Sequence, residues 1–206
     1  MIQAVLLSYF LGSIPTAFII GKLNGIDIRK QGSGNVGATN VFRVMGKCWG
    51  SLVLFLDILK GFLASFFTAR AIYQDTLGIS FVSFQLISGF FAIIGHTWPI
   101  WLGFRGGKGV ATSCGAFLGI YPQPVFAALG VWILTAFLCR YVSLASMLAA
   151  FSFPIFLFIF YRKQSDFMIG FAISILLFLF IVYMHRSNIK RLLSGTENKI
   201  GNQPKR

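Results

Sequence analysis

The chain has 206 residues, of which 56% are hydrophobic and only 11% are charged, and its net charge is +13. Soluble domains carry about a quarter charged residues, so this composition excludes an ordinary water-soluble domain and indicates a membrane protein. The basic residues cluster between apolar stretches, which favours a role in membrane topology and anion binding over nucleic-acid binding. The three cysteines include no C-x-x-C spacing, so we expect neither a disulfide framework nor a zinc site.

Seven apolar stretches have the composition of membrane helices, which need roughly 20 apolar residues to cross a bilayer. They lie near 2–20, 50–70, 79–97, 110–121, 124–139, 143–161 and 167–185. Two prolines in Tyr121-Pro-Gln-Pro124 favour a turn between the fourth and fifth stretches over one long helix. The sequence therefore predicts an all-α fold, a polytopic bundle of about seven transmembrane helices. We expect a single membrane domain over 1–195, followed by a basic flexible tail over 196–206.

Lysine and arginine are concentrated in loops 21–49 and 102–109 and after residue 185. Basic loops stay in the cytoplasm, so the N-terminus is predicted outside and the C-terminus inside. Every polar segment of the chain then lies at the cytoplasmic face. This one-sided distribution suits an enzyme at a membrane surface better than a path through the membrane.

The first polar segment is the glycine run Gly32-Ser-Gly-Asn-Val-Gly37. It matches G-x-G-x-x-G, but a dinucleotide site needs a preceding strand, and here a membrane helix precedes it. Glycines still allow backbone N–H groups to converge on one anion. We predict that Thr39 or Asn40 caps a short helix over 41–47, that a phosphate binds at its N-terminus, and that Arg43 is available to the ligand. A flexible glycine loop is the alternative, and the density of polar residues favours binding.

The second polar segment extends from His96 to Thr112 and contains Gly-Gly-Lys-Gly at 106–109. It lacks the Walker A spacing, so a nucleoside triphosphate is not implied. The Lys108 ammonium can reach back over the Gly106–Gly107 turn to an anion, and the alternative is a charge that only sets topology. A structural and a functional role for His96 remain equally open.

Three further polar groups are less specific. Ser143 and Ser146 lie one helical turn apart, and this spacing alone is weak evidence of a site. On a continuing helix His185 and Asn188 would share a face, and a histidine there could accept a proton near neutral pH. Asp57 and Lys60 lie inside the second predicted span and should be paired, with each other or with another group that faces the bundle, either as a structural pair or in support of catalysis.

Four segments together closely resemble the bacterial membrane glycerol-3-phosphate acyltransferases that use acyl phosphate. They are Gly32–Asn40, His96–Thr112, Tyr141–Ser146 and the His-Arg-x-Asn-Ile sequence that begins at His185. The resemblance covers nearly the whole chain, and the first two motifs are the long and specific ones. One departure is Ser187, where that family usually has an acidic residue.

The resemblance implies transfer of a fatty acyl group from acyl phosphate to the sn-1 hydroxyl of glycerol 3-phosphate in phospholipid biosynthesis. The products would be 1-acyl-sn-glycerol 3-phosphate and phosphate. It implies a multi-pass protein of the bacterial inner membrane with its site facing the cytoplasm. The implied partners are the two substrates and membrane lipid, with no cofactor, no metal, no nucleic acid and no obligate protein partner. An anion transporter for phosphate or organophosphate is the alternative, although it would need access from both faces.

The resemblance also implies roles for individual residues. The Gly32–Gly37 run with Ser33 and Asn35 would hold the acyl-phosphate head, and His185 or a substrate phosphate would take the hydroxyl proton. The implied catalytic residues are Ser33, Arg43, Lys108, His185 and Asn188. Of these, Arg43, Lys108 and Asn188, together with Ser143, would bind glycerol phosphate or bridge the two anions. The implied substrate-binding residues are Gly32, Gly34, Asn35, Gly37, Thr39, Asn40, His96, Gly106, Gly107, Lys108 and Ser143.

Overall fold

The computed structural model describes residues 1–75 and 78–201. All regular secondary structure in these ranges is helical, which confirms the all-α prediction. The chain divides into two compact units, Met1–Ile120 and Tyr121–Arg206.

In its described residues, unit 1 consists of seven α-helices, and two of its membrane spans depart from a continuous α-helix. Pro15 separates the first two helices because its ring cannot donate a backbone hydrogen bond. A π-helical segment, Leu63–Thr68, joins the fourth helix to the fifth within one continuous span. The helices are α1 (Ile2–Ser13), α2 (Thr16–Leu23), α3 (Ala38–Met45), α4 (Lys47–Phe62), α5 (Ala69–Ile72), α6 (Phe81–Thr97) and α7 (Val110–Leu118).

Unit 2 consists of three long helices followed by a short one. Helix α9 packs against both α8 and α10. A proline occupies the first position of α8, where its fixed φ and missing N–H cost nothing. The helices are α8 (Pro122–Cys139), α9 (Val142–Tyr161), α10 (Phe167–Met184) and α11 (Arg186–Leu193).

Six helical segments of the described chain are long and apolar enough to cross a membrane. They are Ile2–Leu23, Lys47–Ile72, Phe81–Leu102, Pro122–Cys139, Val142–Tyr161 and Phe167–Met184. The predicted break between the fourth and fifth stretches is confirmed, but it lies at 119–121 rather than at Tyr121–Pro124, because α7 ends at Leu118 and α8 begins at Pro122. The remaining predicted stretch, 110–121, forms the nine-residue helix α7. At about 1.5 Å per residue, α7 is less than half as long as the ~30 Å hydrocarbon core is thick.

Glycines let the helices of unit 1 approach one another closely. A β-carbon on Gly115 of α7 would overlap the carbonyl oxygen of Ile58 in α4, and one on Gly61 of α4 would overlap that of Thr112. Gly12 of α1 lies equally close to the backbone of α6. Small residues at such positions permit backbone-to-backbone packing inside a bilayer. This packing holds α6 and α7, between which the second glycine run lies, against α1 and α4.

Candidate functional site

Asn40 organises the first glycine run from within. Its side chain is only 1% exposed, and its Oδ1 accepts a hydrogen bond of 2.8 Å from the Ser33 amide. Its Nδ2 donates to the carbonyl oxygens of Ile28 at 3.2 Å and Gln31 at 3.0 Å. Gly32 has a φ of +58° and leaves no room for a β-carbon beside Asn40. The run is therefore a defined loop closed by one buried side chain, and the flexible-loop alternative is not supported.

The helix that follows begins earlier than predicted. Helix α3 starts at Ala38, its N-cap is Gly37, and no side chain caps it. The prediction of a helix over 41–47 capped by Thr39 or Asn40 is wrong, because Asn40 uses its amide to close the loop. Thr39 and Asn40 instead lie in the first turn of α3. The first turn of any helix presents backbone N–H groups that no helical carbonyl can accept.

These bonds change which amides could hold an anion. The Ser33 amide donates to Asn40 and the Gly34 amide donates to the Gln31 carbonyl at 3.0 Å, so both are already used inside the loop. The N-terminus of α3, rather than the middle of the glycine run, is the better anion cradle. Arg43 lies further along α3 and is partly buried.

The second glycine run folds back onto the end of α6. The Gly106 amide donates to the Thr97 carbonyl at 3.0 Å, and the Gly107 amide donates to the His96 carbonyl at 3.1 Å. A β-carbon on Gly107 would overlap Nε2 of the His96 ring. Glycine is therefore required at position 107 by the close approach of the His96 ring. Lys108 is the next residue in the chain after this contact.

A buried ionic cluster lies beside this run. Lys60 Nζ is 2.9 Å from Asp57 Oδ1, and both side chains are almost fully buried, which confirms that they pair. Thr16 donates to the same oxygen at 2.7 Å, and His96 Nδ1 lies 3.5 Å from it. Lys60 also donates to the Ile14 carbonyl at 3.0 Å, at the break that Pro15 causes between α1 and α2.

The two glycine runs border the same small cavity in unit 1. Val36 comes from the first run and Gly106 from the second, and His96 and Lys60 also line the cavity. The space open to the centre of a water molecule is about 10 Å³, enough for about one water. The structure thus brings together, within this unit, the two segments that the sequence predicts to bind phosphate. The cavity is lined by Ser13, Ile14, Pro15, Thr16, Val36, Lys60, His96, Pro99, Leu102 and Gly106.

In unit 2 the predicted residues Ser143 and Asn188 converge on Glu197. Ser143 Oγ donates to Glu197 Oε1 at 2.8 Å and Asn188 Nδ2 donates to the same oxygen at 2.6 Å. Arg191 Nε donates to Oε2 at 2.7 Å. Burial raises the pKa of Glu197, but the hydrogen bonds from Asn188, Ser143 and Arg191 outweigh it, so the pKa lies below its usual value. Glu197 is therefore an ionised carboxylate at neutral pH.

Sequence reasoning missed Glu197, which was placed in the flexible tail over 196–206. Residues 202–206 of that tail lie outside the described residues. The part that is described is held by specific contacts: the Thr196 amide donates to Arg191, and the Ile200 amide donates to the Arg140 carbonyl at 2.7 Å. The Arg140 side chain in turn donates to the Ile200 carbonyl. One available signal was that Glu197 is an isolated acid in a basic tail, in a chain with only five acidic residues.

His185 lies at a break between two helices. Helix α10 ends at Met184 and α11 begins at Arg186, so the continuous helix expected through this region is interrupted. His185 is buried, and its Nδ1 is 2.8 Å from the Ile181 carbonyl oxygen. A carbonyl oxygen can only accept, so Nδ1 carries a proton in this contact. Ser187 is exposed.

The predicted site residues are thus distributed over both units. Unit 2 contains Ser143, His185 and Asn188. Unit 1 contains Gly32, Ser33, Gly34, Asn35, Gly37, Thr39, Asn40, Arg43, His96, Gly106, Gly107 and Lys108.

Comparison with known proteins gives a consistent result over nearly the whole chain. A family model described as glycerol-3-phosphate acyltransferase matches residues 2–195. Glycerol-3-phosphate acyltransferases of Fusobacterium nucleatum and Chlorobium limicola are 44% and 41% identical, over 95% and 97% of this chain and 95% and 96% of theirs. Crystal structures of PlsY, an integral membrane glycerol 3-phosphate acyltransferase, in its glycerol 3-phosphate and lysophosphatidic acid forms, are each 38% identical. Their TM-scores are 0.86 and 0.84, over 97% of this chain and 95% of theirs. The chain belongs to the glycerol-3-phosphate acyltransferase family and is an integral membrane acyltransferase.

Proposed function

We propose that the acyl donor is an acyl phosphate and that the acceptor is the sn-1 hydroxyl of glycerol 3-phosphate. The products are 1-acyl-sn-glycerol 3-phosphate and inorganic phosphate. The observation that carries the proposal is the pair of glycine runs around one cavity in unit 1, because this donor and this acceptor each bring a phosphate. The PlsY structures, in glycerol 3-phosphate and lysophosphatidic acid forms, support it as a relative with the corresponding acceptor and product. Family membership favours this enzyme over the anion-transporter alternative.

The reaction requires little covalent assistance from the protein. The hydroxyl oxygen attacks the acyl carbonyl carbon, the bond from that carbon to the phosphate oxygen breaks, and phosphate leaves with the electron pair. An acyl phosphate is a mixed anhydride, so its leaving group is already good. The protein has to align the hydroxyl with the carbonyl, screen two repelling phosphates and stabilise the developing oxyanion.

Unit 1 supplies the phosphate cradles in this proposal. The acyl-phosphate head binds at the N-terminus of α3, with the exposed Ser33 hydroxyl and Asn35 as additional donors. Arg43 and Lys108 supply positive charge to the glycerol phosphate. Asn40 keeps its place in the loop and acts through the shape of the cradle rather than by touching substrate.

Unit 2 supplies groups suited to a hydroxyl. Ser143 gives its proton to Glu197, so its oxygen has lone pairs left to accept a hydrogen bond from a glycerol hydroxyl. Asn188 donates an amide hydrogen bond to the same oxygen of Glu197. Nε2 of His185 can take the proton of the attacking hydroxyl, and a substrate phosphate is the competing base.

The distribution of lysine and arginine supports a location in the bacterial inner membrane with the chemistry on the cytoplasmic side. In this orientation the N-terminus of the chain lies outside and the C-terminus in the cytoplasm. Chemical labelling of single cysteines placed near each terminus, in intact cells and in inverted vesicles, tests this topology.

The donor is tested with protein purified in detergent. Palmitoyl phosphate and palmitoyl-CoA are each supplied with labelled glycerol 3-phosphate, and both lysophosphatidate and released phosphate are measured. We expect one phosphate per lipid from palmitoyl phosphate and no lipid from palmitoyl-CoA, with the acyl chain at sn-1. Efficient use of the thioester, or acylation at sn-2, would contradict the proposal.

The residue roles are tested by substitution. Lys108→Ala and Ser33→Ala should each lower kcat/KM at least about tenfold, because a charge-assisted hydrogen bond contributes about 1.5–3 kcal/mol. Lys163→Ala, which removes an exposed lysine elsewhere, is the matched control and should have no effect. His185→Gln separates the two bases: a loss of about 10²-fold or more supports the histidine, and a small loss supports the substrate phosphate.

A further inference from the structure

The Asp57–Lys60 pair is an unusual feature because it is a buried ion pair within a candidate membrane span. Asp57 is 1% exposed and Lys60 is 5% exposed, and both lie within the span Lys47–Ile72. Charged side chains inside a membrane are costly and usually have a function. Neither residue is assigned a role in the proposed chemistry.

One carboxylate oxygen of Asp57 collects three contacts. Thr16 and Lys60 lie 2.7 and 2.9 Å from Oδ1, and Nδ1 of His96 lies 3.5 Å from it. Because a carboxylate only accepts, its negative charge favours a proton on Nδ1 of His96 over one on Nε2. The contact therefore favours one tautomer and one orientation of a buried imidazole ring.

The opposite edge of the same ring supports the second glycine run. Nε2 of His96 lies so close to Gly107 that no β-carbon could be placed there. The backbone of His96 also accepts the Gly107 amide, and the backbone of Thr97 accepts the Gly106 amide. Any rotation of the ring would change the surface on which the turn before Lys108 rests.

Lys60 extends this support to the first glycine run. Its ammonium group donates to the Ile14 carbonyl at the break between α1 and α2. Helix α2 leads directly into the loop that carries the first run, and Val36 of that run borders the same cavity as Lys60. The ionic pair thus lies next to both glycine runs: Asp57 contacts the ring that packs against Gly107, and Lys60 lines the same cavity as Val36.

We propose that Asp57, together with Lys60, is a positioning residue that holds the His96 ring against Gly107 and so fixes Lys108 for binding the phosphate of glycerol 3-phosphate. This assignment rests on the proposed function for the identity of the ligand. It predicts that loss of the carboxylate weakens binding of the acceptor more than it slows the chemical step.

The kinetic test uses Asp57→Asn, which keeps the size of the side chain and removes its charge. We expect the KM for glycerol 3-phosphate to rise at least tenfold, with a smaller change in kcat and in the KM for acyl phosphate. Ser88→Ala is the matched control, since it removes a buried hydroxyl of α6 for which residues 1–75 and 78–201 provide no hydrogen-bond partner. A purely structural role would reduce the amount of active enzyme and leave both KM values unchanged, and that result would overturn the proposal.

A spectroscopic test does not depend on turnover. The chain has two histidines, so in a His185→Gln background the ring-carbon signals of labelled histidine report His96 alone. We expect the signature of a protonated Nδ1, and its loss on adding Asp57→Asn. A ring state unaffected by Asp57→Asn would refute the positioning role, even if the acyl donor proposed above is correct. If Asp57→Asn does not accumulate in the membrane, Thr16→Val is used instead, since it removes one hydrogen bond from the same carboxylate oxygen. Its KM values and its histidine ring signals are then measured, and the outcomes that support or overturn the proposal are the same.

Discussion

The sharpest prediction concerns Asn40, whose side chain closes the first glycine run. Asn40→Ala removes three hydrogen bonds, at 2.8, 3.0 and 3.2 Å. At about 0.5–1.5 kcal/mol each the sum is at most about 4.5 kcal/mol, and since the freed carbonyls can regain water we expect a loss of about 2–3 kcal/mol. The loss should be local, because the bonds hold a loop rather than the helix packing.

Amide hydrogen exchange in detergent measures this loss at the Ser33 amide, which donates to Asn40. A change of about 2–3 kcal/mol corresponds to exchange about 30- to 150-fold faster. Gln31→Ala is the matched control: its exposed side chain is removed, while its carbonyl still accepts from Asn40. If Asn40→Ala leaves the Ser33 exchange rate within threefold of the wild type, then Asn40 does not close the loop and the argument is wrong.

Three further predictions follow from single sites. The folded-state pKa of Glu197 is lowered, so its stabilisation is complete above the unfolded value of about 4.5 and is lost as the pH falls through the folded value. Glu197→Gln should therefore lower the thermal midpoint at pH 7, and the difference from wild type should shrink at pH 4. Gly115→Ala should destabilise by about 1–3 kcal/mol through backbone overlap, as followed by SDS unfolding, whereas Gly130→Ala, with open space around it, should not. Gly107→Ala should displace the His96 ring, so we expect a reduced kcat/KM with normal expression; unchanged kinetics would show that the ring and loop are not in contact.

Helix boundaries show where local sequence rules are sufficient and where they are not. The stretch near 167–185 was predicted to span the membrane, and the structure has a helix over Phe167–Met184 with a mean hydropathy of 2.7. The stretch near 110–121 became the much shorter α7. Two tertiary features surround it: the loop before α7 folds back on α6, and Gly115 within α7 packs against α4. Neither feature can be inferred from hydropathy.

The polar residues of the candidate site also differ in how far local sequence rules predict them. The glycine runs and Lys108 could be identified from composition and spacing, because glycine beside a cation has few other uses in an apolar chain. The role of Asn40 could not, because the same residue type serves equally as a helix cap, a ligand contact or a loop clasp. Which of these it becomes depends on the carbonyl groups that surround it in the folded chain.

By itself, the sequence determined that this is a helical membrane protein, and it predicts anion binding at two glycine runs. These properties follow from local rules: apolar length must match the bilayer, backbone groups must be satisfied within the helix, and glycine permits turns. The tertiary structure alone decided that His96 lies between Asp57 and the Gly107 turn and that Ser143 and Asn188 both donate to Glu197. Ser143 and Glu197 are 54 residues apart in sequence, and buried hydrogen bonds over such distances depend on how the helices pack. No local pattern encodes that packing.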